Sequence, residues 1–203
     1  MDGLDRLRRF VGDLTALANA GAGEAEILDR GGAALRELVA VDDWLPPEYA
    51  APDPVQYRQY LLYCDPLERF SVVSFVWGPG QRTPVHDHTV WGLIGILRGV
   101  EISRNYAADV EGKLDPQSVL RLVPGQVTAV SPEIGDIHAV ENALPDRPSI
   151  SIHAYGANIG AVARHVFLVE SGEAKPFVSG YANKTLPNLW DRSAETRARL
   201  DIA

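Results

Sequence analysis

Two kinds of hydrophobic periodicity divide this chain into a helical start and a longer β-rich part. Residues 4–20 place apolar side chains at every third or fourth position, which is typical of an amphipathic helix. The same pattern returns from Glu24 to Ala40, with two glycines inside it. We expect these helices to cover a sheet rather than to carry function.

The rest of the chain consists of short apolar or alternating runs separated by glycine and proline. Such punctuation is typical of an antiparallel barrel or jelly roll, so we predict an all-β barrel with N-terminal α-helices. Within one domain overall, residues 1–54 would form a helical segment and proline-rich connector, 55–180 the barrel, and 181–203 a tail with a short helix from about Ser193. The predicted strands are Phe70–Trp77, a strand carrying the histidines at 86 and 88, Leu93–Arg98, Glu101–Tyr106, Val119–Leu122, Gln126–Val130, Ala139–Glu141, Ile150–Tyr155 and His165–Glu170, with Asp109–Gln117 as a hairpin loop.

Charge and cysteine content narrow the range of partners and compartments. A net charge of −8 argues against nucleic acid and anionic membranes as partners. The single cysteine, Cys64, excludes an intrachain disulfide and fits a reducing compartment. The sequence shows no apolar signal core and no stretch of membrane-spanning length. We therefore expect a cytoplasmic protein, either a monomer or a small homo-oligomer.

The candidate chemistry begins with His86 and His88. On a β-strand this spacing puts both imidazoles on one face and turns Asp87 to the other. Two neutral imidazoles on one face form half of a metal site, and His138 is available as a third ligand. Ligand type leaves iron, zinc, copper and nickel open, and a catalytic three-histidine zinc site is a competing interpretation.

The run Ile150–Tyr155 alternates apolar and polar side chains. Its polar face carries Ser151, His153 and Tyr155, which could form a hydrogen-bonded relay if that face points into the barrel. Tyr155 would then present its hydroxyl near the metal, His153 would orient it, and Ser151 would fix the tautomer of the imidazole. The alternative is an outward, solvated polar face.

The two histidine segments resemble the paired motifs of cupins. The first is Gly80-x5-His86-x-His88-x3-Gly92-x6-Gly99, and the second runs from Gly135 through His138 to Asn142. Most metal cupins have a glutamate ligand at the position of Gly92, and its absence resembles the thiol dioxygenase branch. Residues 75–99, together with Ser151-Ile152-His153-Ala154-Tyr155, are similar to the cysteine dioxygenase family and, within it, to bacterial 3-mercaptopropionate dioxygenases. The resemblance covers residues 55–170.

This resemblance implies an Fe(II) centre on His86, His88 and His138 that uses O2 to oxidise a small thiol carboxylate to its sulfinate. The preferred substrate would be 3-mercaptopropionate and the secondary one cysteine. The Ser-His-Tyr relay of such enzymes would be the polar face of Ile150–Tyr155. Mammalian-type members crosslink the relay tyrosine to a cysteine, but the matching position here is Gly92, so we expect no crosslink.

A thiol carboxylate also needs a partner for its carboxylate, and the planar guanidinium of arginine suits it. The resemblance assigns this role to Arg164, with Gln59 in place of the arginine of mammalian-type enzymes. An ordinary surface charge is the alternative for Arg164, and Arg58 and Arg82 are weaker candidates. Two rival functions remain at this stage, another metal-dependent cupin enzyme and a small-acid-binding module without catalysis.

Overall fold

The computed structural model describes residues 4–110 and 112–200, whose strands form two antiparallel sheets. The strands are β1 Arg58–Cys64, β2 Ser71–Trp77, β3 Val85–His86, β4 Gly92–Arg98, β5 Glu101–Ala108, β6 Leu114–Leu122, β7 Val127–Val130, β8 Ile137–Asn142, β9 Ser149–Tyr155, β10 Arg164–Phe167 and β11 Ala174–Phe177. Their order is β1-β2-β9-β4-β7 in the five-stranded sheet and β11-β10-β3-β8-β5-β6 in the six-stranded sheet. The predicted jelly-roll barrel is confirmed as a double-stranded β-helix.

The N-terminal helices lie where the periodicity predicts them and pack on the outer face of the five-stranded sheet. Gly31 shows how close this packing is, since a Cβ atom there would lie 3.1 Å from both Leu14 Cδ2 and Leu93 Cδ1. None of the helices in the described ranges is long and apolar enough to span a bilayer. The helices are α1 Asp5–Asn19, α2 Glu24–Glu26, α3 Gly32–Val39 and α4 Ser193–Leu200, with a π-helical turn at Ile27–Gly31 and 3-10 turns at Pro47–Tyr49 and Ile159–Ala161.

The central strands of the five-stranded sheet are buried on both faces, so their polar side chains must find partners inside the protein. Every residue of β2 and of β9 is buried. On β9, Ile150, Ile152 and Ala154 belong to the core under the helices. Because side chains alternate along a strand, Ser151, His153 and Tyr155 point into the space between the two sheets.

The structure corrects the sequence prediction in the six-stranded sheet. The loop predicted at Asp109–Gln117 is shorter, because β6 already begins at Leu114. Strand β11 was not predicted, β10 ends at Phe167 rather than Glu170, and β1 of the other sheet was not among the predicted strands either. Pro116 and Pro176 explain why the first part of β6 and the whole of β11 were not predicted. Proline argues against a strand except at a sheet edge, and β6 and β11 are the edge strands of this sheet.

Candidate metal centre

Three histidines converge between the sheets. His86 lies on β3, directly opposite His138 on β8, and His88 follows two residues after His86. The strand is shorter than predicted and ends before His88, yet all three imidazoles share one site. Each pair of ring centroids is 4.9 Å apart, and one ligand atom from each ring lies within 4.8 Å of the others. All three residues are buried.

His88 is fixed by Asp136, a residue that the sequence analysis did not single out. The Asp136 carboxylate lies 2.9 Å from His88 Nδ1 and accepts hydrogen bonds from the backbone N–H groups of His88 and Thr89. Thr89 has a φ of 62°, a left-handed conformation that is uncommon for residues other than glycine. Burial raises the pKa of Asp136, but its hydrogen bonds outweigh burial and keep that pKa below the ordinary value. An ionised acceptor at Nδ1 leaves Nε2 of His88 as the ligand atom.

The other two imidazoles are oriented in the same way. His86 Nδ1 lies 3.1 Å from the carbonyl oxygen of Pro84, and a carbonyl can only accept. His138 Nδ1 lies 3.2 Å from Ser103 Oγ, whose own proton is donated to Asn105 Oδ1. Both rings therefore donate from Nδ1 and keep Nε2 free.

The electrostatics of the cluster suit a metal ion. Burial, followed by the neighbouring His88, lowers the pKa of His86 to about 3, and burial and the other imidazoles lower that of His138 as well. At neutral pH both are therefore uncharged, the form that binds metals. Among the described residues, the buried His88 Nε2 has no hydrogen-bond partner. A buried nitrogen acceptor without a hydrogen-bond partner is explained if it binds a metal ion at the three histidines.

The structure brings Ser151, His153 and Tyr155 together as a hydrogen-bonded chain. Ser151 Oγ lies 2.8 Å from His153 Nε2, and His153 Nδ1 lies 2.8 Å from the Tyr155 hydroxyl. The Tyr155 ring is stacked on that of His88 at 5.3 Å between centroids. All three residues are buried, unlike the solvated face considered as the alternative. The chain of hydrogen bonds ends against a proposed metal ligand.

Gly92 allows the tyrosine ring to occupy this position. It pairs with Tyr155 across the sheet, and a Cβ atom on it would lie 2.9 Å from Tyr155 Cε1 and 3.0 Å from Val130 Cγ2. A side chain here would therefore press on the ring. Cys64 lies elsewhere, on β1, with its Sγ 3.6 Å from the carbonyl oxygen of Asp65. Neither residue offers the tyrosine a sulfur atom for a crosslink.

Arg164 and Gln59 meet at a third residue, Ser179. Arg164 Nη2 donates to Ser179 Oγ at 2.8 Å, and Gln59 Nε2 donates to the same oxygen at 3.3 Å. Arg164 is 3% exposed, so it is not a surface charge, and its guanidinium lies over the ring of Phe177. Arg164 also acts on the pKa values of His86 and Tyr155, which places its charge close to the metal centre.

The remaining candidates lie outside this cluster. The Arg58 guanidinium pairs with Asp53, and Arg82 is exposed. His165 is turned away from Arg164, and its Nδ1 lies 2.9 Å from the Asp87 carboxylate. Asp87 therefore does not point at the metal centre, as predicted from its position between the two histidines.

Asp136, Ser103 and Ser179 were missed for different reasons. Asp136 lies two residues before His138, and a carboxylate at that spacing from a histidine is a signal that could have been used. Ser103 and Ser179 reach the site only through pairing of distant strands and segments, which the sequence does not show.

The sequence of this chain matches a known protein family over the residues that build the site. The sequence profile of the family described as "Cysteine dioxygenase type I" matches residues 38–165. The chain belongs to the cysteine dioxygenase type I family. The match includes His86, His88, His138 and the polar face of β9. Membership in this family implies a dioxygenase, an oxidoreductase that acts on a small thiol with O2, and it agrees with the metal centre.

Solved structures that resemble this member of the cysteine dioxygenase type I family are distant in sequence. A Klebsiella pneumoniae protein with a double-stranded beta-helix domain is 17% identical, covers 66% of this chain and 87% of its own, and gives a TM-score of 0.44. A cupin superfamily protein from Desulfitobacterium hafniense is 17% identical, with coverage of 53% and 84% and a TM-score of 0.40. A cupin-like protein from Thermotoga maritima is 18% identical, with coverage of 63% and 79% and a TM-score of 0.42.

Proposed function

We propose that the protein is a mononuclear non-heme Fe(II) thiol dioxygenase. It converts a small thiol carboxylate and O2 into the sulfinate, with 3-mercaptopropionate as the preferred substrate and cysteine as the secondary one. The observation that carries this proposal is the stacking of Tyr155 on His88 in a member of the cysteine dioxygenase type I family. It joins a hydrogen-bonding relay directly to a three-histidine metal centre.

His86, His88 and His138 are the proposed iron ligands. Three ligands leave half of an octahedral coordination sphere for substrate, and Gly92 cannot provide a fourth. Bound Fe(II) would lower the pKa of the substrate thiol and bring the thiolate and O2 together. In the balanced reaction, sulfur is the atom that is oxidised, and both atoms of O2 end in the sulfinate group.

Arg164 is the proposed partner of the substrate carboxylate. Its Nη2 donates to a neutral hydroxyl, that of Ser179, and its buried Nε has no hydrogen-bond acceptor among the described residues. A buried, unpaired guanidinium is costly, and an incoming carboxylate would relieve that cost with two parallel hydrogen bonds. Gln59 and Ser179 hold the guanidinium side of this pocket.

The same pocket supports a substrate without an ammonium group. Cysteine carries an ammonium beside its carboxylate, and 3-mercaptopropionate does not. The carboxylate of Asp136 already accepts three hydrogen bonds from His88 and Thr89, and the positive charge of Arg164 repels a second cation. These two features support the preference for 3-mercaptopropionate.

Tyr155 is the proposed hydrogen-bond donor to the reacting centre. Burial raises the pKa of Tyr155 above its ordinary value, so the phenol keeps its proton at neutral pH. His153 is neutral there because burial lowers its pKa, and it holds the hydroxyl in place. A phenol held in this way can orient substrate without adding charge to the site.

The test is O2 consumption by protein loaded anaerobically with Fe(II), with 3-mercaptopropionate and cysteine assayed separately. The proposal predicts uptake with both thiols and a higher kcat/KM for 3-mercaptopropionate. Zinc-loaded protein is the matched control and should consume no O2. Binding of 3-mercaptopropionate without uptake, by protein of full iron content, would instead support a small-acid-binding module. A higher kcat/KM for cysteine would reverse the proposed substrate preference.

A further inference from the structure

Glu101 is a buried carboxyl group that the proposed reaction leaves unused. It is the first residue of β5 and is fully buried. Within the described chain, neither of its carboxyl oxygens has a hydrogen-bond partner. An unpartnered carboxyl group in a protein interior is costly, so its position calls for a physical explanation.

The turn before β5 places Glu101 against β9. Gly99 in this turn has a φ of 78°, and a Cβ atom on it would lie 2.8 Å from Ser149 Cα. Only glycine permits so close an approach of the two backbones. The hydroxyls of Ser151 and Ser149 lie near enough to the Glu101 carboxyl to lower its pKa, although neither completes a hydrogen bond to it in this geometry.

Neither cross-strand partner of Glu101 provides a hydrogen bond to its carboxyl group. Its partner on β6 is Leu122, which is apolar. Its partner on β8 is Asn142, whose amide group donates to backbone carbonyls instead. Among the described residues, no charged group contributes to the shift in the pKa of Glu101.

The hydrogen bonds of Ser151 link Glu101 to the relay. Ser151 Oγ accepts from Trp77 Nε1 at 3.3 Å and lies 2.8 Å from His153 Nε2. A hydroxyl has one donor and two acceptor positions. After the bond from Trp77, the Ser151 hydroxyl has one donor and one acceptor position left for His153 and Glu101. It can donate to His153 and accept from Glu101, or donate to Glu101 and accept from His153.

We propose that Glu101 is a positioning residue whose protonation sets the direction of the hydrogen bonds from Ser151 through His153 to Tyr155. This inference rests on the proposed function. With Glu101 protonated, it donates to Ser151, Ser151 donates to His153 Nε2, and His153 Nδ1 donates to the Tyr155 oxygen. The Tyr155 proton is then free to point at the metal centre.

The ionised form of Glu101 reverses every bond in this chain. Its carboxylate accepts from Ser151, Ser151 accepts from His153 Nε2, and Tyr155 donates its proton to His153 Nδ1. Tyr155 then faces the metal centre only as an acceptor. Burial raises the pKa of Glu101 to about 8, against the lowering effect of the two serine hydroxyls. The protonated form, with Tyr155 as donor, therefore prevails at neutral pH.

The direct test is the tautomer of His153, read from the 15N chemical shifts of its ring in full-length protein loaded with diamagnetic zinc. His153→Gln identifies the resonance, because only one histidine signal disappears. We expect the proton on Nδ1 below the Glu101 pKa of about 8 and on Nε2 above it. Glu101→Gln, which has an amide donor at every pH, should keep the proton on Nδ1 throughout. A tautomer that does not change with pH in the unsubstituted protein would overturn the proposal, and so would a change that persists in Glu101→Gln.

Kinetics provide a second readout in the iron-loaded enzyme. We expect kcat for 3-mercaptopropionate to fall as pH rises through about 8, and Glu101→Gln to abolish this fall with little change in KM. Glu141→Gln, on the neighbouring strand and paired with Arg104, is the control and should keep the fall. An identical pH profile in Glu101→Gln and the unsubstituted enzyme would contradict the inference. The tautomer measurement requires no turnover, so failure of the proposed reaction would not be mistaken for failure of the inference.

Discussion

The carboxylate of Asp136 holds His88 from two sides, at its backbone N–H and at its Nδ1. One residue therefore sets both the loop conformation and the ring tautomer of a proposed metal ligand. Replacing a partner of this kind commonly weakens metal binding by about 10- to 100-fold. We expect Asp136→Asn to weaken Fe(II) and Zn(II) binding by a factor in that range, as measured by competition with a chelator.

The matched control for Asp136→Asn is Asp87→Asn, in the same loop. The carboxylate of Asp87 binds the backbone N–H and Nδ1 of His165, so it does not orient the imidazole of His88 as Asp136 does. We expect it to leave metal affinity unchanged. Equal loss of affinity in both variants would show that the loop as a whole, rather than the hold on His88, accounts for the effect.

Gly92→Ala tests the contact between the barrel and the relay tyrosine. The new Cβ atom would lie 2.9 Å from Tyr155 Cε1, so the ring must shift. Overpacking of this kind costs about 1–3 kcal/mol of folding free energy. We expect lower thermal stability and lower kcat, with metal content unchanged.

Gly12→Ala is the control for this substitution, because a Cβ atom there meets nothing within 4 Å. It lies inside α1, where alanine is favoured over glycine by about 0.5–1 kcal/mol. It should raise stability and leave kcat alone. Unchanged kcat in Gly92→Ala would indicate that the position of the Tyr155 ring has no effect on turnover.

Arg164→Ala tests recognition of the carboxylate. A hydrogen bond to a charged group contributes about 1.5–3 kcal/mol, which corresponds to a rise in KM of about 10- to 150-fold. We expect such a rise for 3-mercaptopropionate and little change for 3-mercaptopropanol, which lacks the carboxylate. Arg58→Ala, on β1 and paired with Asp53, should change neither value. Equal effects of Arg164→Ala on the two thiols would remove Arg164 from carboxylate binding.

The raised pKa of Glu101 also makes folding stability depend on pH. Its pKa is about 8 in the folded protein against an ordinary value of 4.5, so between these values the folded state binds a proton that the unfolded chain lacks. Its contribution to the free energy of unfolding therefore falls as pH rises through this window, by on the order of a few kcal/mol. We expect Glu101→Gln to gain stability relative to the unsubstituted protein as pH rises from 4.5 to about 8, as measured by urea unfolding. A stability difference between the two proteins that is the same at both ends of the window would contradict the raised pKa.

Features that depend only on a local sequence pattern were predicted from the sequence. The i and i+2 spacing of His86 and His88, and the alternation along β9, required no knowledge of distant contacts. The alternation along β9 separated an apolar face from a polar one but left open whether the polar face is solvated, and the structure shows that it is buried. In the structure the three histidines cluster, and Ser151, His153 and Tyr155 form a hydrogen-bonded chain beside them.

The rest of the site depends on long-range pairing. Gln59 and Ser179 are 120 residues apart, and Glu101 comes near Ser151 through the close approach of Gly99 to Ser149. Glu101, Ser103 and Asn105 alternate on one face of β5, a polar pattern that could have indicated an inward face. Strands β6 and β11 were misjudged because their prolines are tolerated only at a sheet edge, and the sequence does not show which strands are edges.

The most direct test of the proposed chemistry is the origin of the oxygen atoms in the product. Protein loaded with Fe(II) is supplied with 3-mercaptopropionate under 18O2, and the sulfinate is analysed by mass spectrometry. We expect the proposed dioxygenase reaction to consume one O2 for each sulfinate formed and to leave the label in both sulfinate oxygens. Absence of sulfinate from protein of full iron content, or oxygen derived from water, would contradict it.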